Sequence, residues 1–330
     1  MNLPLAFLLV SNSARAEEKT TYAALARTTF AELLKIPSDH PSVSVTVRNT
    51  KQEDDLIIED IVWESLDGEH PIAYVLRPVK AKGRLPAVVC LHGTSGSREA
   101  LVRKQFGVGD WTPYGAAVPQ SMLLGWAREL ARRGYLTLAL TQRGLDLRQP
   151  DTDEQTKVLL VQGRTLMGAI VYEIRQAITY LRMRGDVDPE RIGVTGFSFG
   201  GITTFYTWLV DDRIAAAAPI CGGIGSVRVF MDRGIRTYHG IYWWLPGMLE
   251  RGDQGDFAAA MAPRPLMLWA PLEDIGMPHE GVDEFLRVAQ PAYLRAGGGQ
   301  KLVVHRPHGK HLFSLEAFNA MEAFFGQQLK

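Results

Sequence analysis

Arg191-Ile-Gly-Val-Thr-Gly-Phe-Ser-Phe-Gly-Gly201 runs from a β-like apolar segment straight into a helix-like one, with Ser198 at the centre of Gly-x-Ser-x-Gly. A serine at the tip of a strand-to-helix turn sits in a strained conformation, so the residues two before and two after it must be small. Gly196 and Gly200 meet that need, and Ser198 becomes a candidate nucleophile. Glycine is common in this chain, so the motif alone decides little and its partners must be found.

The partners occur downstream in the order nucleophile, acid, histidine. Arg264-Pro-Leu-Met-Leu-Trp-Ala-Pro-Leu-Glu-Asp-Ile-Gly-Met-Pro278 reads as a buried strand from Pro265 to Ala270 running into a loop where Glu273 and Asp274 compete for one role. Lys301-Leu-Val-Val-His305 reads as a last strand, followed by a loop holding His308 and His311 before Ser314 opens a closing helix. Upstream, Leu85-Pro-Ala-Val-Val-Cys-Leu-His-Gly-Thr94 is a strand ending in His-Gly, where a backbone N–H commonly completes an oxyanion hole.

The 330 residues are 46% hydrophobic and 22% charged, enough for an extensive core in one large domain or two small ones. The 36 basic and 36 acidic residues cancel without a long like-charge block, so a nucleic-acid partner is not expected. Cys90 and Cys221 lie in strand-like segments that a third strand separates by about 10 Å, so both read as core thiols. At the N-terminus, Leu3–Val10 is a short apolar run followed by Ala14-Arg-Ala16, the outline of a signal peptide over residues 1–16 and of export to the periplasm or medium. Eight apolar residues are too few to span a bilayer, and no Lys or Arg precedes them, so a first helix of a cytoplasmic protein is the alternative.

From Thr20 to Ile36 the pattern suggests an amphipathic helix, and Val43–Val47, Leu56–Glu64 and Pro71–Val79 alternate as half-buried antiparallel strands do. Continuous apolar runs follow at Ala87–Leu91, Leu136–Leu140, Ile192–Gly196, Ala215–Ile220, Leu266–Ala270 and Leu302–His305. Such runs belong to a parallel sheet covered on both faces, here of about eight strands in a single domain over 17–330. The stretch Leu166–Arg184, apolar at Ile170, Ile174, Ala177, Ile178 and Leu181, reads as the crossover helix feeding the Ser198 strand. Two insertions, 95–121 and 222–255, carry Trp111, Tyr238, Tyr242 and Trp243 among other aromatics. Connections beyond the carboxyl ends of the strands border the reaction site, so these four could line a substrate pocket or simply pack their loops against the body.

Together, Val89-Cys-Leu-His-Gly93, Leu140-Thr-Gln-Arg-Gly144, Val187 to Gly201, Ala262-Pro-Arg-Pro-Leu-Met267 and Pro307 to Phe313 resemble the α/β-hydrolases, in particular the acetyl xylan esterase and dienelactone hydrolase-like bacterial serine esterases. The resemblance spans roughly residues 56–325 and implies a Ser198, Asp274, His311 triad, with Phe199 and Thr94 as oxyanion donors. It departs from the family at Thr141-Gln142, where relatives often carry an aspartate, and at Ala270-Pro-Leu-Glu273, where they often have a glycine.

The activity implied is hydrolysis of short-acyl esters, including acetylated saccharides, through an acyl-enzyme and without a cofactor. A prolyl-oligopeptidase-type peptidase is the rival, although the chain has no room for a propeller; a non-catalytic binding protein on the same scaffold is a third reading. His305, His308 and His311 are spaced by three, but Pro307 and Gly309 argue against the helix that would converge them on a metal, so none is expected. His92 reads as a structural residue of the His-Gly turn.

Overall fold

In the computed structural model, residues 12–330 are described apart from 113, 115 and 149, with side chains described from residue 22 onward. Helix α1 (Asn12–Leu34) precedes the antiparallel strands β1 (Val45–Glu53), β2 (Leu56–Trp63) and β3 (Ile72–Pro78). Then come β4 (Leu85–Leu91), α2 (Arg98–Leu101), a hairpin of β5 (Gly107–Trp111) and β6 (Gln120–Leu124), α3 (Trp126–Arg132) and β7 (Leu136–Leu140). The chain continues through α4 (Thr152–Val161), α5 (Leu166–Met183), β8 (Val187–Phe197), α6 (Phe199–Val210) and β9 (Ala216–Ile220). The second insertion forms α7 (Val227–Asp232) and α8 (Met248–Arg251) and leads into α9 (Gln254–Ala260). Finally β10 (Leu266–Trp269), α10 (His279–Arg295), β11 (Leu302–His305) and α11 (Leu315–Leu329) close the chain.

One sheet of nine strands, in the order β1-β2-β3-β7-β4-β8-β9-β10-β11, is antiparallel up to the β3–β7 pair and parallel beyond it. The apolar runs are continuous because both faces are covered. Along β4, Val89 and Leu91 face the cluster that holds α1, α5 and α6, while Val88 and Cys90 face the one that holds α3 and α11. Helix α5 carries the expected stripe, and Thr165 caps it by accepting from the Gly168 N–H at 2.9 Å.

The expected strand Val43–Val47 is in fact Val45–Glu53, whose outer half is exposed and polar. The first insertion is not irregular, because the β5–β6 hairpin extends it to Leu124. The apolar segment Leu3–Val10 of the expected signal peptide lies outside the described residues, and α1 passes through Ala14–Ala16. No helix among the described residues is long and apolar enough to cross a membrane. Strand β8 separates Cys90 from Cys221, and both thiols are free and buried.

Candidate active site

At the carboxyl end of β8 the chain turns into α6 through Ser198, whose φ of 54° and ψ of −114° lie where L-residues rarely go. The surrounding packing over-determines that conformation. The Ser198 N–H donates to Ile220 O at the end of β9, 2.9 Å away, and Ser198 O accepts from the Gly201 and Ile202 N–H groups. A Cβ on Gly200 would lie 2.2 Å from Leu91 O, and one on Gly196 would lie 2.5 Å from Gly200 O. Both flanking glycines are therefore required by the close passage of α6 over β4 and β8.

Ser198 Oγ lies 2.8 Å from His311 Nε2, and His311 Nδ1 lies 2.8 Å from Asp274 Oδ2. The two ambiguities left by the sequence separate by burial: Asp274 is 2% exposed and engaged, whereas Glu273 and His308 are exposed. The loops that carry the acid and the histidine are zipped together by backbone bonds from Leu272 N–H to Pro307 O and from Glu273 N–H to Gly309 O, each 2.9 Å. The His311 ring sits between Phe197, 5.0 Å away, and Tyr238, 6.2 Å away. His305 lies on β11 against Trp269, so the three histidines do not converge.

Asp274 Oδ1 accepts from the Gly276 N–H at 2.9 Å. Cys221 stands on its other side, its Sγ within 4.8 Å of the acid and the His311 ring nitrogen. Burial, then the Asp274 charge, push the Cys221 thiol well up, and its Sγ points at Leu312 O, 3.7 Å away. Its φ of 50° is a second backbone outlier at the site, and nothing in an Ile-Cys-Gly sequence signals it.

Thr94 lines the cavity, and Phe199 opens α6, where the first N–H groups have no intrahelical acceptor. Behind Thr94, His92 is buried: its Nδ1–H donates to Gly93 O at 2.7 Å and its Nε2 accepts from the Gln142 N–H at 3.2 Å. Burial pushes the His92 ring down to about 4, which keeps it neutral and gives it both roles. The departure at Gln142 is filled rather than empty. Its amide donates to His92 O at 2.7 Å and accepts from Thr203 Oγ1 at 2.7 Å, bracing the His-Gly turn against α6. A glutamine does here with donor and acceptor what the sequence left unassigned.

The cavity in front of Ser198 has a volume of about 330 Å³. Tyr238 and Tyr242 line it, together with the apolar Leu123, Trp126 and Phe313 and the polar Gln120, Ser121 and His239. The Tyr242 ring packs edge-on against Phe199, with centroids 4.6 Å apart, and burial raises its hydroxyl against the opposing hydrogen bond from Thr94. Trp111 and Trp243 do not line the cavity, a correction with two different causes. Trp111 sits on the hairpin edge under Arg103, 5.4 Å from its ring, and Trp243 is buried behind the wall, stacked on His239 at 4.7 Å. Gln120 and Ser121 were missed because polar residues in an insertion carry no periodic signal.

Residues 114–236 match the Dienelactone hydrolase family, a stretch that contains Ser198 and stops short of Asp274 and His311. "Putative hydrolase YtaP" of Bacillus subtilis (strain 168) is 26% identical over 285 residues, covering 86% of this chain and 91% of that protein. Among solved structures, a putative acetyl xylan esterase from Bacteroides fragilis NCTC 9343 superposes with a TM-score of 0.71 at 19% identity, covering 88% of this chain and 75% of that one. The glucuronoyl esterase from Solibacter usitatus gives 0.70 at 15%, covering 92% of both chains. The acetyl xylan esterase from Paenibacillus sp. R4 gives 0.65 at 20%, covering 94% and 95%. The fold is that of the α/β-hydrolases, as the resemblance implied.

Proposed function

We propose that the protein is a serine carboxylic-ester hydrolase acting on small esters of hydroxylated alcohols, acetylated saccharides among them. The observation that carries this is the hydrogen-bonded line Ser198–His311–Asp274 at the mouth of a strand-to-helix turn. Similarity to acetyl xylan and glucuronoyl esterases supports the substrate class.

In this mechanism His311 Nε2 takes the Ser198 Oγ proton as the oxygen attacks the ester carbonyl, and Asp274 holds the tautomer and stabilises the imidazolium. The N–H groups of Phe199 and Thr94 receive the developing oxyanion, each donor contributing about 10²- to 10³-fold. His311 returns the proton to the leaving alcohol, then activates water to hydrolyse the acyl-enzyme. The lining offers Leu123, Trp126 and Phe313 to a short acyl group and Gln120 and Ser121 to the hydroxyls of an alcohol.

The test is turnover of p-nitrophenyl esters from acetate to octanoate by the wild type, Ser198→Ala, His311→Ala and His308→Ala. Activity should fall with acyl length, drop by about 10⁴-fold or more in the first two variants, and survive in the third. Ester turnover that persists in Ser198→Ala, or peptide turnover in place of ester turnover, would reject the reading.

A further inference from the structure

We propose that His239, in the second insertion, is a positioning residue for Asp274. The inference rests on the reading of Ser198, His311 and Asp274 as a working triad. It starts from Gly276, which the insertion grips at two points. The Tyr238 ring lies so close over Gly276 that a Cβ there would be 2.1 Å from the ring, and His239 Nε2–H donates to Gly276 O at 2.7 Å. The same glycine gives its N–H to Asp274 Oδ1 at 2.9 Å, while Oδ2 faces His311. A carboxylate free to rotate about χ2 would lose the Oδ2–Nδ1 alignment, so fixing Oδ1 fixes the geometry that His311 receives.

The His239 ring is itself immobilised. It stacks on Trp243 at 4.7 Å with 8° between planes, and meets Tyr238 edge-on at 5.1 Å. Burial lowers it to about 4, against the weaker opposing effects of the Gly276 carbonyl and the Asp274 charge. The insertion is further stitched to the same loop by Ile224 N–H to Met277 Sδ at 3.2 Å, and to the first turn of α10 by Ser226 N–H to Gly281 O at 2.8 Å. The aromatic insertion thus does more than wall the cavity: through His239 it sets the acid. The titratable groups around the reacting histidine are Asp274, Ser198, Cys221, Tyr238 and His239, and of these His239 is hydrogen-bonded to the residue whose N–H holds Asp274 Oδ1.

The experiment compares the wild type with His239→Phe, which keeps a stacking ring and loses the donor, and His239→Gln, whose amide can restore it. The first readout is the pH dependence of covalent labelling by a fluorophosphonate, in which Ser198 Oγ bonds to phosphorus and fluoride leaves, so no knowledge of the natural ester is needed. The second is the downfield NMR proton of the Asp274–His311 hydrogen bond, visible whether or not any ester turns over. In His239→Phe, labelling should slow by about 10-fold, its acid limb should move to lower pH because a displaced carboxylate stabilises the imidazolium less, and the downfield proton should broaden or vanish. His239→Gln should recover all three. An unshifted limb with the downfield proton intact in His239→Phe overturns the inference, as does an equal defect in His239→Gln. A wild type that shows the downfield proton but does not label at Ser198 sinks the ester mechanism alone.

Discussion

Two histidines beside the site are held neutral by burial, and that has a consequence for stability. His92 and His239 are both lowered to about 4, against about 6.5 in an unfolded chain. Between those values the unfolded chain takes up a proton that the folded one refuses, so stability rises with pH across the window, is fully gained above about 6.5, and is lost as pH falls toward 4. The slope is about 1.4 kcal/mol per pH unit for each histidine while the difference lasts. His92→Asn, which cannot titrate, should be less stable near neutrality because its shorter side chain no longer reaches the Gln142 N–H that Nε2 accepts from. Its urea-unfolding free energy should also vary less with pH between about 4.5 and 6.5, by about 1 kcal/mol per unit. An unchanged slope would mean that His92 accepts a proton inside the fold.

Helix α5 is anchored by a residue whose role only the three-dimensional packing reveals. Arg175 is fully buried and donates to Pro37 O at 2.7 Å and to Ser38 O and Asp39 O at 2.8 Å, with Asp211 3.5 Å away. It closes the turn between α1 and β1 onto the helix that feeds the Ser198 strand. Arg175→Ala would take the donor from three carbonyls at once, while Asp211 keeps its pair with Arg213 at 2.6 Å, at a cost of about 1.5–3 kcal/mol by chemical denaturation. Arg175→Lys should rescue little, because one ammonium cannot reproduce the guanidinium fork. In the sequence Arg175 is one more charged residue between apolar stripes, and nothing in the pattern separates it from a solvated face. The parallel strands were legible for the opposite reason: burial on both faces leaves Ala87–Leu91 or Leu136–Leu140 uninterrupted. The outer half of β1 and the β5–β6 hairpin bury too little to leave a pattern. In the same way the Gly-x-Ser-x-Gly spacing picked out Ser198, whereas the choice of Asp274 over Glu273 depends on which carboxylate the loop turns inward, a matter of contacts with β9 and the second insertion rather than of spacing.

At the scale of the molecule, the N-terminal helix belongs to the hydrolase body in its last turns, whatever becomes of the residues before it. Phe30 and Leu34 are fully buried, and the Phe30 ring meets Tyr206 on α6 at 4.9 Å and Phe257 on α9 at 4.8 Å. Leu34 O accepts from Thr165 Oγ1 at 2.7 Å and lies so near Gly168 that a Cβ there would be 1.9 Å away, which fits α1 closely onto α5. Losing two such side chains alone costs about 5–9 kcal/mol, a large share of the roughly 5–15 kcal/mol that holds a domain together. Removal of residues 1–36 should therefore yield insoluble protein or a much lower Tm. Removal of residues 1–16, the segment proposed as a leader, should leave Tm and esterase turnover unchanged, since Phe30 and Leu34, which anchor α1 to α6, α9 and α5, stay in place. A fall in Tm comparable to that of the longer truncation would make the first sixteen residues part of the folded body, and the leader proposal would fall with it.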